Sequence, residues 1–360
     1  MRVSVPTIPT RLASVPSGPT VSPAVAVERI SSFLQHGNVC LLTGAGVSVD
    51  SGIRAYRGKD GRYMNPNYKP IFYHELVDGT EKGFAFRQRY WLRSYLGYPP
   101  VRDAQPNKTH YAIAALQHAS IVPRLITQNV DGLHHKAIRS ARSRSWMDEH
   151  MLELHGTLHK VHCNRGHLVD RETFQDWISA ANPQWKAFVD DLERAGQQPR
   201  TNPDGDVAIE DVDYTTFNVP ECPTCALEGY TNSVQKPALI FFGESIAKEV
   251  RDKSYADIEQ CDRLFLVGTT LATFSAFRLL KHALELKKPT LMLNVGPTRA
   301  DGLPGLEKLE IRSGEVMREI VRNVLGSQAT EDPIIRDMLC SGIYMPPPDH
   351  IEDIVPQSGS

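Results

Sequence analysis

The pattern that most narrows the possible folds of this chain is a series of short apolar runs, each followed by a helical pattern. Val122–Thr127, Ala238–Phe242, Arg263–Val267 and Thr290–Val295 are such runs, and Asn38–Thr43 is another that leads into Gly44-Ala45-Gly46. Helical spacing follows or precedes them over Ala26–His36, Phe84–Gly97, Thr109–Ala119, Ser245–Glu259 and Ala276–Leu286. Strands that are apolar along their whole length cannot leave one face to water. Alternating with helices, they predict an α/β fold, a doubly wound parallel sheet covered on both faces and Rossmann-like in type. The alternation closes at Thr290–Val295 and lapses over residues 156–236, where a second module is expected.

The expected division follows. Residues 1–26 are a leader; 27–56, 104–156 and 237–326 form the nucleotide-binding domain; 57–103 are a helical module; 157–236 a zinc-binding module; 327–360 a C-terminal tail. Within the second module Arg171–Arg194 reads as helix broken at Asn182-Pro183, and residues 197–213 as a turn-rich acidic stretch. Residues 54–70, rich in Gly, Tyr, Arg and Asn without periodicity, read as an ordered lid over a site.

A chain of 360 residues is long enough for one large domain carrying a smaller one. Its formal charge of -2 gives no electrostatic reason for a nucleic-acid partner, and no run approaches the roughly 18 to 20 apolar residues of a membrane span. Six cysteines are too few for a disulfide scaffold and fit a reducing compartment. Met1–Ala26 contains Arg2, Arg11, several Ser and Thr, five prolines and no acidic residue, which resembles an organellar transit peptide and predicts the mitochondrial matrix. An ordinary disordered leader has the same composition, and the prolines argue against a clean amphipathic helix.

The groups suited to chemistry lie at the ends of the expected strands. Gly44-Ala45-Gly46-Val47-Ser48 follows a strand and supplies backbone N–H groups and close approach for phosphate oxygens, although a structural turn needs the same glycines. The third glycine of the dinucleotide fingerprint is absent and no acidic residue stands about 20 positions on, which disfavours hydride transfer. Gly268-Thr269-Thr270 and Asn294-Val295-Gly296 occupy two further strand ends, where open parallel sheets bind ligands. Gln128-Asn129-Val130-Asp131 makes a polar loop that can hold a ribose. His155, between Leu154 and Gly156, is delivered by a strand to a loop and can take a proton from a ribose hydroxyl; His134 and His135 read as helix surface or packing residues.

Two other groups stand apart from that set. Cys222 and Cys225, at a spacing that fits one turn around an ion, make half of a tetrahedral zinc site, and Cys163 with His167 supplies an irregular other half. A turn that has lost its metal would look alike. Tyr90 and Arg93, three apart on one helix, could clasp a carboxylate or polar acyl end; aromatic packing beside a solvated arginine is the plainer account.

In order along the chain, Gly44-Ala45-Gly46-Val47-Ser48 with Ser51-Gly52-Ile53, Thr127-Gln128-Asn129-Val130-Asp131, Leu154-His155-Gly156, Lys236-Pro237 leading to Phe241-Phe242-Gly243-Glu244, and Val267-Gly268-Thr269-Thr270 resemble the sirtuins, from about Ser31 to Ile320. Residues 87–93, 182–185, 203–207 and 296–299 resemble the class II, mitochondrial branch, known for lipoamidase, deacylase and ADP-ribosyltransferase activities.

The resemblance implies an NAD-dependent protein-lysine deacylase that consumes NAD as a co-substrate, carries one structural Zn2+ and acts on acyl-lysine in proteins. By it Gly44, Ala45, Gly46, Val47, Ser48, Arg57 and Tyr63 enclose the pyrophosphate and nicotinamide ribose. Gln128, Asn129, Val130 and Asp131 hold ribose and nicotinamide; Gly268, Thr269, Thr270, Asn294, Val295 and Gly296 hold the adenosine side; His155 is the general base. Tyr90 and Arg93 match a pair that reads the far end of an acidic acyl group, and Cys163, His167, Cys222 and Cys225 hold the metal.

Three positions depart from the family pattern. Ala55 stands where a carboxylate is usual near the nicotinamide, a lone Cys163 with His167 replaces a cysteine pair, and Ile138 replaces a glycine. The alternatives are mono-ADP-ribosyl transfer at the same site and a module that binds ADP-ribose without turnover.

Overall fold

A computed structural model describes residues 8, 21–56, 70–197, 204–207, 212–231 and 233–343. Most of the leader and of the expected lid, including Arg57 and Tyr63, lies outside these residues.

Six strands form the larger sheet: β1 (Val39–Thr43), β2 (Arg124–Thr127), β3 (Met151–Glu153), and, after the small-module strands β4 (Gly156–Cys163), β5 (Leu168–Asp170) and β6 (Gln235–Leu239), β7 (Arg263–Val267), β8 (Thr290–Leu293) and β9 (Leu306–Leu309). Their order is β3-β2-β1-β7-β8-β9 and every pair is parallel. Leu41 of β1 stands opposite Leu125 and Phe265, and Leu42 opposite Ile126 and Leu266. Because successive side chains of a strand point to opposite faces, the first three enter one buried cluster and the second three another. Helices Pro23–Leu34, Lys108–His118 and Ser313–Leu325 cover the first face; Lys248–Gln260 and Phe274–Glu285 cover the second.

The smaller sheet is antiparallel, ordered β5-β4-β6, and packs with helices Glu81–Asp103, Arg171–Ala181 and Pro183–Arg194 around a core containing Trp91, Phe174, Ile178 and Phe217. The helical break expected at Asn182-Pro183 is present, with Pro183 opening the second helix.

Several elements differ from expectation. The apolar run Ala238–Phe242 does not join the parallel sheet. Its first two residues end β6, an edge strand that pairs antiparallel with β4 through Pro237 opposite Val161. A proline donates no ladder hydrogen bond, so an edge position is the one it tolerates.

The alternating series also continues past Val295, through β9 and helix Ser313–Leu325. β9, Leu-Glu-Lys-Leu, is an edge strand with two charged residues between its leucines, so it presents no continuous apolar run. Within the expected tail, Gln328–Glu331 and Pro333–Cys340 are helical, and Ile335, Met338 and Leu339 are buried against the main core. The first helix starts at Pro23 rather than Ala26, with Ser22 as its cap.

Candidate active site

The strand order reverses between β1 and β7, so the loops that follow them leave side by side and open a crevice at the carboxyl edge. There the two backbones touch. Gly44 N–H donates to the Val267 carbonyl at 3.2 Å and Gly46 N–H to the Gly268 carbonyl at 2.9 Å. A Cβ on Gly46 would stand 2.8 Å from Gly268 O, and one on Gly268, whose φ is +61°, would stand 2.7 Å from Val47 N. Close approach is therefore what these glycines provide. The expectation that the Gly44 and Gly46 amides face phosphate is corrected, since both donate within the protein.

The two loops line a cavity with Ala45, Ser48, Thr270, Asn294 and Val295. Two expected binding residues are not at its wall. Val47 is buried and its carbonyl accepts from Asn107 Nδ2 at 2.8 Å, while the Gly296 carbonyl accepts from Lys308 Nζ at 2.7 Å. Both shape the loops from behind.

The loop after β2 supplies the polar wall. Gln128 Nε2 donates to the Thr43 carbonyl at 3.1 Å and to Thr269 Oγ1 at 2.8 Å, and Thr273 Oγ1 donates to Gln128 Oε1 at 3.2 Å. Ser48 Oγ donates to Asp131 Oδ2 at 2.7 Å and accepts from Asn129 Nδ2 at 3.1 Å; Asp131 Oδ1 accepts the Leu133 amide at 2.9 Å. Three loops are tied together through side chains that also face the cavity. Behind them His134 Nε2 lies 3.0 Å from Thr43 Oγ1, and its ring meets that of His110 edge-on at 4.8 Å. His134 is a packing residue, as its sequence setting suggests.

His155 occupies the turn between β3 of the large sheet and β4 of the small one. It lines both the cavity just described and a second, of about 730 Å³, bounded by Leu154, Leu239, Phe241–Ile246 and Phe274–Ser275. Tyr56, Gln128, Val130 and Thr273 are shared in the same way. Burial lowers its pKa to about 4, so the ring is neutral at pH 7. The Gln128 backbone holds one ring nitrogen and the Ser275 hydroxyl lies 2.8 Å from Nε2. A neutral imidazole at the junction of two cavities can accept a proton from a hydroxyl in one while a second reactant occupies the other.

The second cavity has a braced rim. Lys236, only 4% exposed, sits 3.2 Å from Glu244 Oε1 and donates to the Leu239 carbonyl at 2.7 Å, while Glu244 Oε2 accepts the Phe241 amide at 2.9 Å. The sequence motif marks this segment; the ion pair that bends it is visible only in three dimensions.

Tyr90 and Arg93 line neither of these two cavities. Tyr90 is 4% exposed and packs edge-on against Trp91 and Phe241, and Arg93 Nη2 donates to Asp206 Oδ2 at 2.7 Å and its Nε to the Val207 carbonyl at 2.6 Å. The clasp expected for a substrate carboxylate is closed on an internal one. Conversely Ala272, Thr273 and Ser275 line the cavities without having been expected there, while Ile53, Ala55 and Tyr56, from the motif and the start of the expected lid, line them as well. Isolated hydroxyls and an alanine after a strand end give no pattern in the sequence that flags them.

Cys163 at the end of β4, His167 on the turn after it, and Cys222 and Cys225 around the start of helix Pro223–Leu227 bring four ligand atoms within 4.8 Å of one another. Cys163 and Cys225 sulfurs are 3.6 Å apart, and His167 Nδ1 is 3.4 Å from Cys225 Sγ and 3.6 Å from Cys222 Sγ. Tetrahedral zinc with Zn–S bonds of ~2.3 Å sets neighbouring ligand atoms about 3.5 to 3.8 Å apart, so the donor set fits a structural zinc ion. Glu228 lies 3.5 Å from His167 Nε2, where a carboxylate can orient a ligating imidazole.

A doubly wound nucleotide fold with one imidazole between a glycine-walled cavity and a second cleft, and a zinc-type module beside it, is the architecture of a nucleotide-consuming transfer enzyme. The Sir2 family model matches residues 44–275, and the chain belongs to that family. It is 42% identical over 306 residues to the NAD-dependent protein deacylase SIR4 of Batrachochytrium dendrobatidis, covering 83% of this chain and 94% of that one. It is 33% identical over 305 residues to the NAD-dependent protein lipoamidase sirtuin-4, mitochondrial, of Bos taurus, covering 84% and 88%. Among solved structures, a Sir2 homolog in complex with NAD superposes with a TM-score of 0.56 at 25% identity, covering 82% of this chain and 93% of that one.

Proposed function

We infer that the protein is an NAD-dependent protein-lysine deacylase that transfers the acyl group to ADP-ribose and releases nicotinamide. The observation that carries this reading is the place of His155, facing both cavities at once. NAD as co-substrate occupies the glycine-walled cavity, with Asn294 and Val295 towards adenosine and Gln128, Asn129 and Asp131 towards the nicotinamide ribose. The acyl-lysine enters the larger cavity along Phe241–Ile246. Its carbonyl oxygen attacks the anomeric carbon as nicotinamide leaves, and neutral His155 then takes the proton of a ribose hydroxyl that closes on the acyl carbon.

Leu154, Leu239, Phe241 and Ile71 give the larger cavity an apolar stretch of lining, with Asp204, Glu244, Arg251 and Arg278 elsewhere on its wall, and Arg93 is already matched by Asp206. Both support an acyl chain with an uncharged end over succinyl or glutaryl. Import into mitochondria is supported by the composition of Met1–Ala26 and by the name of the bovine relative. Incubating the protein with NAD and peptides bearing acetyl, lipoyl, succinyl or glutaryl lysine, with mass analysis of products, tests the reading. Acyl-ADP-ribose and free lysine are expected from the uncharged set, and His155→Ala should abolish them; full activity in that variant would remove the catalytic assignment, and label on the protein in place of acyl-ADP-ribose would replace deacylation by ADP-ribosyl transfer.

A further inference from the structure

Ser275 stands in the first turn of helix Phe274–Glu285, 120 residues along the chain from His155, and lines the larger cavity. Its Oγ is 2.8 Å from His155 Nε2. For Nε2 to act as the base, the neutral ring must carry its proton on Nδ1 and the lone pair on Nε2. In that tautomer the serine hydroxyl donates to the very nitrogen that the reaction needs as a base. The loop that delivers Ser275 also delivers Thr269 and Thr273, which hold the Gln128 side chain at 2.8 and 3.2 Å. One connection, from β7 to its helix, thus carries both the partner of the imidazole and the residues that hold Gln128.

We propose that Ser275 is a positioning residue for His155: it holds the ring with Nε2 aimed at the junction of the cavities, and turns from donor to acceptor when that nitrogen is protonated. The inference rests on the deacylase reading. In that step the ribose O–H bond breaks, its electron pair stays on oxygen and forms the bond to the acyl carbon, the C=N π pair of that imidate carbon moves onto the lysine nitrogen, and the Nε2 lone pair becomes an N–H bond. The new imidazolium N–H arises in a part-buried place, where an unmatched charged donor is disfavoured. Ser275 Oγ is the acceptor already within reach. Nicotinamide departs before the base acts, so Ser275 matters to the later half of the reaction alone.

That timing makes the test. Two rates are measured on the same full-length enzyme: deacylation of an acyl peptide, and exchange of labelled nicotinamide into NAD in the presence of that peptide. Removing one hydrogen bond to a charged group predicts that Ser275→Ala loses about tenfold or more in deacylation kcat, with exchange and the KM for NAD within roughly twofold of the unchanged protein. Ser275→Thr should restore deacylation, and Ser275→Cys, of similar volume, should fall between them and covers the case in which the alanine variant fails to fold.

Parallel loss of exchange and deacylation in these variants, or no loss of either, would overturn the proposal. A His155→Ala control separates the two layers. If it deacylates at full rate, the base assignment fails and Ser275 with it; if it is inactive while Ser275→Ala is unchanged, only the present inference fails.

Discussion

Arg93 illustrates how one side chain changes meaning between chain and fold. As a residue three positions from Tyr90 it looks free to bind a substrate carboxylate. In the structure it is one half of an ion pair with Asp206, a carboxylate 113 residues away and 3% exposed. Breaking a buried pair leaves an uncompensated charge, whereas removing both partners need not. Arg93→Met is therefore expected to lower stability by roughly 3 kcal/mol. Adding Asp206→Asn should recover much of that, read by chemical denaturation of both variants and of the pair. A stable single variant with altered acyl preference would return Arg93 to the substrate site. His155 does stand at a strand end beside the cavity, and Cys222 and Cys225 do lie in one cluster, because a strand end and a close Cys spacing are local signals.

The elements around the crevice were legible to differing degrees. β1, β2, β7 and β8 are continuous apolar runs, and burial on both faces of a parallel sheet leaves no other pattern available to them. β6 and β9 are less legible because both are edge strands, one holding a proline and the other two adjacent charged residues. Which sheet a run joins depends on partners far away in sequence, and periodicity does not encode that.

The contact between the β1 and β7 loops has a sharp consequence. Gly268 is in the left-handed region and its missing side chain makes room for Val47 N. Gly268→Ala should force these loops apart and raise the KM for NAD about tenfold or more, equivalent to roughly 1.4 kcal/mol, with the far-ultraviolet circular dichroism retained. An unchanged KM would show that the loops can separate without disturbing the cavity.

Across the whole molecule, titration of buried histidines links the site to stability. Burial lowers His110, His135 and His155 to about 4 and His134 well below its ordinary value. The unfolded chain takes up these protons near pH 6.5 and the folded one does not until near 4, so the native state loses stability as pH falls from 6.5 towards 4. Each such group contributes at most about 1.4 kcal/mol per pH unit. Glu153, raised to about 7 by burial and then by Asp131, acts in the opposite sense between pH 7 and 4.5. Four histidines against one carboxylate give a net loss, visible as a fall in denaturation midpoint from pH 7.5 to 5, and His134→Gln should flatten the slope by one group. A midpoint that stays level over that range would show these rings to be solvated.

Local pattern was enough for the class of fold, the loops that bound the crevice and the close pair Cys222 and Cys225, since each follows from residues within a few positions of one another. Sheet membership of the edge strands, the closing of Arg93 on Asp206, the bracing of Glu244 by Lys236 and the pairing of Ser275 with His155 followed only from the folded chain. Those contacts join positions that lie far apart along the backbone or owe their geometry to a bend, and the burial that gives them their energy does not exist until the two sheets have met.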